Sequence, residues 1–256
     1  MLNRRILRIK AMQALYSYYL AEKSLKSVTQ EDLDKQFTLD PAKDDFSDSE
    51  AFNAKRKAAK NLYQKSLSDD SSEDYEDPEI VDAVNNAHTN YQQSLKEEVL
   101  TIRKRMFSDI NDIYHMYFKL LQLPIEFAHI EALEKEKKEK AHIFRSTTWK
   151  NHFIENPVIK ALKSFPELQK EIENRKISWS DDIDLVKGWY KDILHKNEKL
   201  IDYQSQETPS PEDHFDSVVY LMKKIVFKND VISDYLGSVD LRWHENKPVL
   251  SSLVVK

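Results

Sequence analysis

The sequence has no cysteine, and only two glycines, Gly188 and Gly237, among its 256 residues. Without cysteine there is no disulfide scaffold, no zinc–thiolate site and no thiol nucleophile, and the composition fits a reducing compartment. So little glycine rules out the P-loop, the Gly-rich dinucleotide turn and the Gly-x-Ser-x-Gly elbow, and no His-Glu-x-x-His occurs either. No apolar run approaches the roughly 18 residues of a membrane span, and no signal-peptide core precedes a small-residue cleavage site. The expectation is a soluble, cytoplasmic, non-enzymatic chain with no cofactor and no membrane partner.

What is there favours helix. Lys, Glu, Leu, Ala and Gln are abundant, and the 40% hydrophobic content suffices for one large core or two modest ones. The fold class expected is therefore all-α. Asn3 is a fair N-cap for a first helix running to about Lys23. Asp40-Pro41, Asp77-Pro78-Glu79 and Ser210-Pro211-Glu212-Asp213 each place a capping side chain before a proline and mark helix starts. Residues 66–95 carry eight acidic side chains and no Lys or Arg, and "SLSDDSSEDYEDPE" has little apolar to bury, so it reads as an exposed, partly disordered linker.

From about Glu97 to Lys140, Val99, Ile102, Met106, Ile110, Ile113, Tyr117 and Leu120 recur at three- and four-residue steps. That pattern predicts a long amphipathic helix interrupted at Pro124, followed by "EALEKEKKEK" as a solvated helical end or a loop. The last third contains an echo at an offset of 64, which pairs Ile172 with Leu236, Ile177 with Leu241, Trp179 with Trp243 and Val186 with Leu250. Both tryptophans read as packing anchors. In the first copy Ser178, Ser180, Asp181 and Asp182 read as a helix cap, and Ile183, Val186, Trp189, Tyr190 and Ile193 as one buried face. The second copy stops at Lys256 within an apolar run, which reads as a truncated product.

A net charge of −5 argues against general affinity for nucleic acid, so any such binding needs a local patch. One is present: residues 3–20, "NRRILRIKAMQALYSYYL", contain no carboxylate. On a helical wheel Arg4, Arg5 and Arg8 fall within about 100° of one another, with Lys10 off that stripe and Ile6, Ile9, Gln13 and Tyr16 on a neighbouring face. Clustered arginines repel each other and oppose the helix dipole, so fold stability does not select them. The stripe is either a solvated basic start or an anion or nucleic-acid site. If it binds single-stranded RNA, guanidinium forks supply phosphate contacts and Tyr18 or Tyr19 the stacking surfaces, with Tyr16 expected in the core. "KRKAAK" at 55–60 reads as a solvated helix face or a second RNA contact. Glu126 and His129 have the spacing of di-metal helical sites, as do Asp112 with His115 and Asp192 with His195, but one true Glu-x-x-His pair falls short of such a site, and no metal is expected.

"RRILRIKAMQALYSYYL" resembles the opening of the transcription antitermination factor NusB family, in which an arginine cluster precedes a helix close to A-V-Q-A-L-Y. Here that helix reads Ala11, Met12, Gln13, Ala14, Leu15, Tyr16. With "SDINDIYHMYFKLLQL" and "RKISWSDDIDLV" the likeness extends to the long form of the family found in Bacteroidetes. It covers residues 1–23 and 98–256, leaving 24–97 as an insertion with the acidic linker. The resemblance implies a NusB-like helical bundle made of an N-terminal basic helix (1–23), a long core helix and its continuation (98–140), and Trp-containing helical repeats (141–256). It also implies RNA binding at Arg4, Arg5 and Arg8, to which Lys10 is added as a candidate although the family pattern is not basic at its position, recognition of a boxA-like element in nascent ribosomal RNA transcripts, and partnership with a NusE-type ribosomal protein in the transcription elongation complex. The family's C-terminal Trp-Asp, Ile-Asn-Glu and Phe-Val-Asn-Gly patterns are missing. The alternatives are a helical protein-interaction module with no RNA binding and a truncated, non-functional copy. A domain of the kind fused to ribosomal RNA methyltransferases would need a Gly-rich cofactor domain, which this chain lacks.

Overall fold

A carboxylate-free, glycine-free start followed by Ala, Gln, Leu and Lys propagates helix from Arg4 onward. A computed structural model of the chain describes residues 4–38, 49–68, 77–140 and 149–255, the Arg5 side chain excepted. The Asn3 cap, Asp40-Pro41, most of the acidic linker and Lys256 lie outside the described residues. Within them the chain is all-α, with no strand and no helix long and apolar enough to cross a membrane. It divides into two compact units, Met1–Asp109 and Ile110–Lys256.

The first unit holds α1 (Arg4–Gln36), α2 (Ser49–Ser66) and the opening of α3 (Pro78–Lys140). α1 runs well past Lys23. Nothing between 24 and 36 breaks a helix, and Lys26–Glu22 and Lys35–Asp32 support it at one-turn spacing. Residues 24–36 thus belong to the first helix, which outruns the expected end at about Lys23. α3 starts where Asp77-Pro78 predicts, with the Asp77 carboxylate accepting from the Glu79 N–H at 3.0 Å. Leu33, Phe37, Tyr63, Ile80, Val84 and Ala87 close a small core where the three helices meet.

The second unit takes the rest of α3, and here Pro124 does not interrupt the helix. A proline inside a helix forfeits one hydrogen bond and clashes with the preceding turn, at about 3 kcal/mol. Ile113, Met116, Leu120, Leu123, Phe127 and Ile130, all buried at steps of three and four, offset that cost. "EALEKEKKEK" continues as helix to Lys140, which pairs with Glu136 at 2.6 Å. The helices that follow are short: α4 (His152–Glu155), α5 (Pro157–Ser164), α6 (Pro166–Arg175), α7 (Ile183–Trp189), α8 (Glu198–Ser205), α9 (Pro211–Tyr220), α10 (Asp230–Val239) and α11 (Trp243–Val254). Ser210 and Asp213 form a capping box at the start of α9, as the sequence predicts.

The 64-residue echo is real at the level of elements, since α6 and α10 coincide at that offset at both ends. Trp179 and Trp243 are both fully buried. Each indole N–H finds a partner, Trp179 the Lys119 carbonyl at 3.0 Å and Trp243 the Ser233 hydroxyl at 2.9 Å. One pairing fails: Ile177 is buried while Leu241 is 94% exposed at the corner before α11. A second echo, at 32, relates Lys196-Asn197-Glu198 to Lys228-Asn229-Asp230. In both copies a π-helical turn ends just before an asparagine whose side chain caps the next helix, Asn197 accepting from the Leu200 N–H and Asn229 from that of Ile232.

A buried carboxylate ties this unit together. Glu131 of α3 accepts from Trp149 Nε1 at 2.7 Å, Gln204 Nε2 at 2.9 Å, Tyr190 Oη at 3.1 Å and the Ile154 N–H at 3.1 Å. Four donors leave the buried oxygens well satisfied, yet burial still pushes the carboxyl up to about 7.

Candidate nucleic-acid interface

α1 packs along a narrow stripe. Ile6 and Lys10 are buried, and Ala14, Tyr18, Ala21 and Leu25 are half-buried, at steps of three and four residues. The stripe fixes the exposure of everything else. Arg4 and Arg8 are exposed, and among the described residues neither has a carboxylate within 4.0 Å. The Arg5 side chain lies outside the described residues. No acidic side chain occupies the first turn of α1, so the positive end of the helix dipole adds to the arginines.

Lys10 is placed differently from the arginines. It is 4% exposed, with its ammonium 4.0 Å from the Asp109 carboxylate. Its position among the RNA-binding residues is corrected: the aliphatic stem is packed and the charge is answered within the protein, so Lys10 is a structural ion-pair residue.

Tyr16 also departs from expectation. The sequence places it in the core, but it is 63% exposed, as is Tyr19 at 57%, while Tyr18 is the half-buried member of the three. The fatter apolar face of the wheel is the one expected to turn inward. The helix instead turns a thinner stripe to its neighbours and leaves Ile9, Met12, Leu15, Tyr16, Tyr19 and Leu20 at the surface. Arg8, Ile9, Met12, Gln13 and Tyr16 line one shallow depression. The signal for this inversion lies 99 residues downstream, because burial of Lys10 requires Asp109 opposite it.

The resulting surface combines two chemistries. Guanidinium groups with no carboxylate partner among the described residues are available for phosphate oxygens, and exposed phenol and thioether side chains beside them offer flat or polarisable faces for bases. Such a patch suits a ligand carrying both anionic and planar apolar parts.

The other sequence candidates do not assemble into sites. In "KRKAAK", Ala59 is buried, Lys55 pairs with Asp77 and Glu79, and Arg56 donates to Asn53 at 3.1 Å, while Arg56 and Lys57 lie exposed on the helix face. Glu126 and His129 lie 3.6 Å apart, Asp192 pairs with Lys196, and among the described residues no three acidic or histidine side chains converge as a metal site would require. Asp112 and His115 border a cleft with Asp240 and Arg242. Burial raises the Asp112 carboxyl, reinforced by Asp240, and lowers His115, with Lys119 and Arg175 adding to the effect. Compared with known proteins, the chain matches no family model, no curated protein and no solved structure.

Proposed function

We propose that this chain binds single-stranded RNA through the exposed arginine and tyrosine face of α1. In this reading it acts in the cytoplasm as a NusB-like transcription antitermination factor on a boxA-like element of nascent ribosomal RNA transcripts, alongside a NusE-type ribosomal protein in the elongation complex. The observation that carries the reading is the placement of Arg4 and Arg8, without a carboxylate partner among the described residues, on the surface that also exposes Met12, Tyr16 and Tyr19. In an acidic chain, arginines at a helix start with no carboxylate partner among the described residues cost stability, and an external polyanion is the compensating partner.

The test is a titration of wild type and the Arg4/Arg5/Arg8→Ala triple variant against boxA-like and scrambled RNA at two salt concentrations. Three phosphate contacts give a log–log salt slope of about −2 in wild type, and the triple variant should lose most of it. The second reading, a helical protein-interaction module, is favoured by the exposed aliphatic residues Ile9, Leu15 and Leu20. Equal RNA binding by wild type and the triple variant would select it.

A further inference from the structure

Within the first unit α3 turns one side inward. Ile80, Val84, Ala87, Tyr91 and Ile102 are buried there, and at about 100° per residue they lie within about 60° of one another. On the opposite side of the helix Lys96, Val99, Leu100, Arg103, Lys104 and Phe107 fall within an arc of about 140°, and all six are exposed. Among the described residues none of the three cations has a carboxylate within 4.0 Å, and Glu97 falls outside the arc. This side of α3 thus presents apolar groups and uncompensated positive charge together.

Further along the same helix the same side is covered. Tyr114, Phe118 and Leu121 point within about 30° of the mean direction of the exposed arc. In the second unit α6 lies on them: Leu168 and Ile172 pack with Phe118 and Leu121, and the Arg175 guanidinium stands 5.5 Å from the centres of the Tyr114 and Phe118 rings. α6 sets its two buried residues four apart and places a glutamate directly before each, Glu167-Leu168 and Glu171-Ile172. The chain itself therefore shows what kind of helix this side of α3 accepts.

We propose that the exposed side of α3 at Lys96, Leu100, Arg103 and Phe107 is a docking surface for an amphipathic helix of a partner protein, built like α6 with apolar residues four apart and carboxylates beside them. Leu100 and Phe107, two turns apart, form the apolar seat, as Phe118 and Leu121 do for α6. Lys96, Arg103 and Lys104 take the partner's carboxylates, which gives the contact its selectivity for an acidic helix. The surface faces away from Asp109, through which α3 meets Lys10 of α1, so it is separate from the RNA-binding face proposed for α1 and stands without it.

The experiment titrates the full chain into a fluorescent peptide of residues 165–176, held helical by a staple on its polar face. Wild type should bind it, and Leu100→Ser/Phe107→Ser should weaken binding by about tenfold or more. Arg103→Glu/Lys104→Glu should weaken it likewise and should recover on a peptide carrying Glu167→Lys and Glu171→Lys. Arg105→Glu, exposed on the inward-facing half of the wheel, should leave binding unchanged. Melting curves establish that each variant folds, as substitution at exposed positions permits. No binding by wild type at millimolar peptide, or equal binding by wild type and both double variants, would overturn the proposal. A loss in Arg105→Glu as large as that in Arg103→Glu/Lys104→Glu would also overturn it, because net charge alone would then attract the peptide. An oligouridylate that displaces the peptide and itself loses affinity in Leu100→Ser/Phe107→Ser would overturn it and assign the surface to RNA.

Discussion

Arg8 and Lys10 stand two positions apart in α1, and different forces hold them there. Removing Arg8 costs no internal contact, so Arg8→Ala should leave the melting temperature unchanged or slightly raised as helix-dipole repulsion is relieved. Lys10→Gln should instead destabilise by about 1 to 3 kcal/mol, because the half-buried Asp109 loses the ammonium facing it, while the salt dependence of RNA binding stays that of wild type. A flattened slope in Lys10→Gln would restore Lys10 to the interface. The local sequence could not separate the two. Both are basic residues in one helix, and the partner that draws Lys10 inward is far away along the chain. Glu131 is a second such case, since a lone glutamate in an amphipathic helix carries no mark of the four donors that will surround it. Its carboxyl, held at about 7 against 4.5 when unfolded, binds a proton in the native state that the unfolded chain releases. The contribution of this residue therefore favours folding at low pH and declines as pH rises through that window, by about 2 kcal/mol between about pH 5 and 7.5. Denaturant titrations of wild type and Glu131→Gln at the two pH values should show the difference between them changing by that amount. A difference independent of pH would mean that the four donors hold Glu131 ionised throughout.

At the scale of elements, starts were more legible than ends. The Asp77-Pro78 and Ser210-Pro211 starts are short-range chemistry, fixed by side chains within three residues of the cap. Continuation is not, because whether a helix runs on through Pro124 or past Lys23 depends on what packs against it. The tryptophans were legible because each sits in a repeated context, and their roles follow from complete burial with a satisfied N–H. Trp179→Ala should cost about 3 to 5 kcal/mol, as emptying a core site does. Its ring neighbours Trp189 and Tyr235, at 5.9 and 6.0 Å, lose their packing with it. Leu241→Ala at the equivalent of a buried position should cost almost nothing, since that side chain is already in solvent. Chemical denaturation of both variants checks the pair, and a large loss in Leu241→Ala would show that the repeat holds at that corner after all. Ser210→Ala, removing one half of the capping box, should cost about 1 kcal/mol.

On the scale of the whole molecule, each unit has apolar residues of its own to bury. The first closes on Leu33, Phe37, Tyr63, Ile80, Val84 and Ala87. In the second, Leu168, Ile172 and Ile177 pack with Phe118, Leu121 and Leu162. The composition allowed one large core or two modest ones and could not choose, because α3 supplies a continuous apolar pattern to both. Cooperative units open independently when few contacts link their interiors. Leu33→Ala, a cavity of the kind that costs about 3 to 5 kcal/mol, should then act on the first unit alone. Amide exchange should quicken in residues 26–38, 59–66 and 80–91, while amides of α7, α9 and α11 keep their wild-type protection. Trp179→Ala should give the reverse pattern. Equal acceleration of both sets in either variant would show that α3 transmits opening from one end to the other, and that the molecule unfolds as one body.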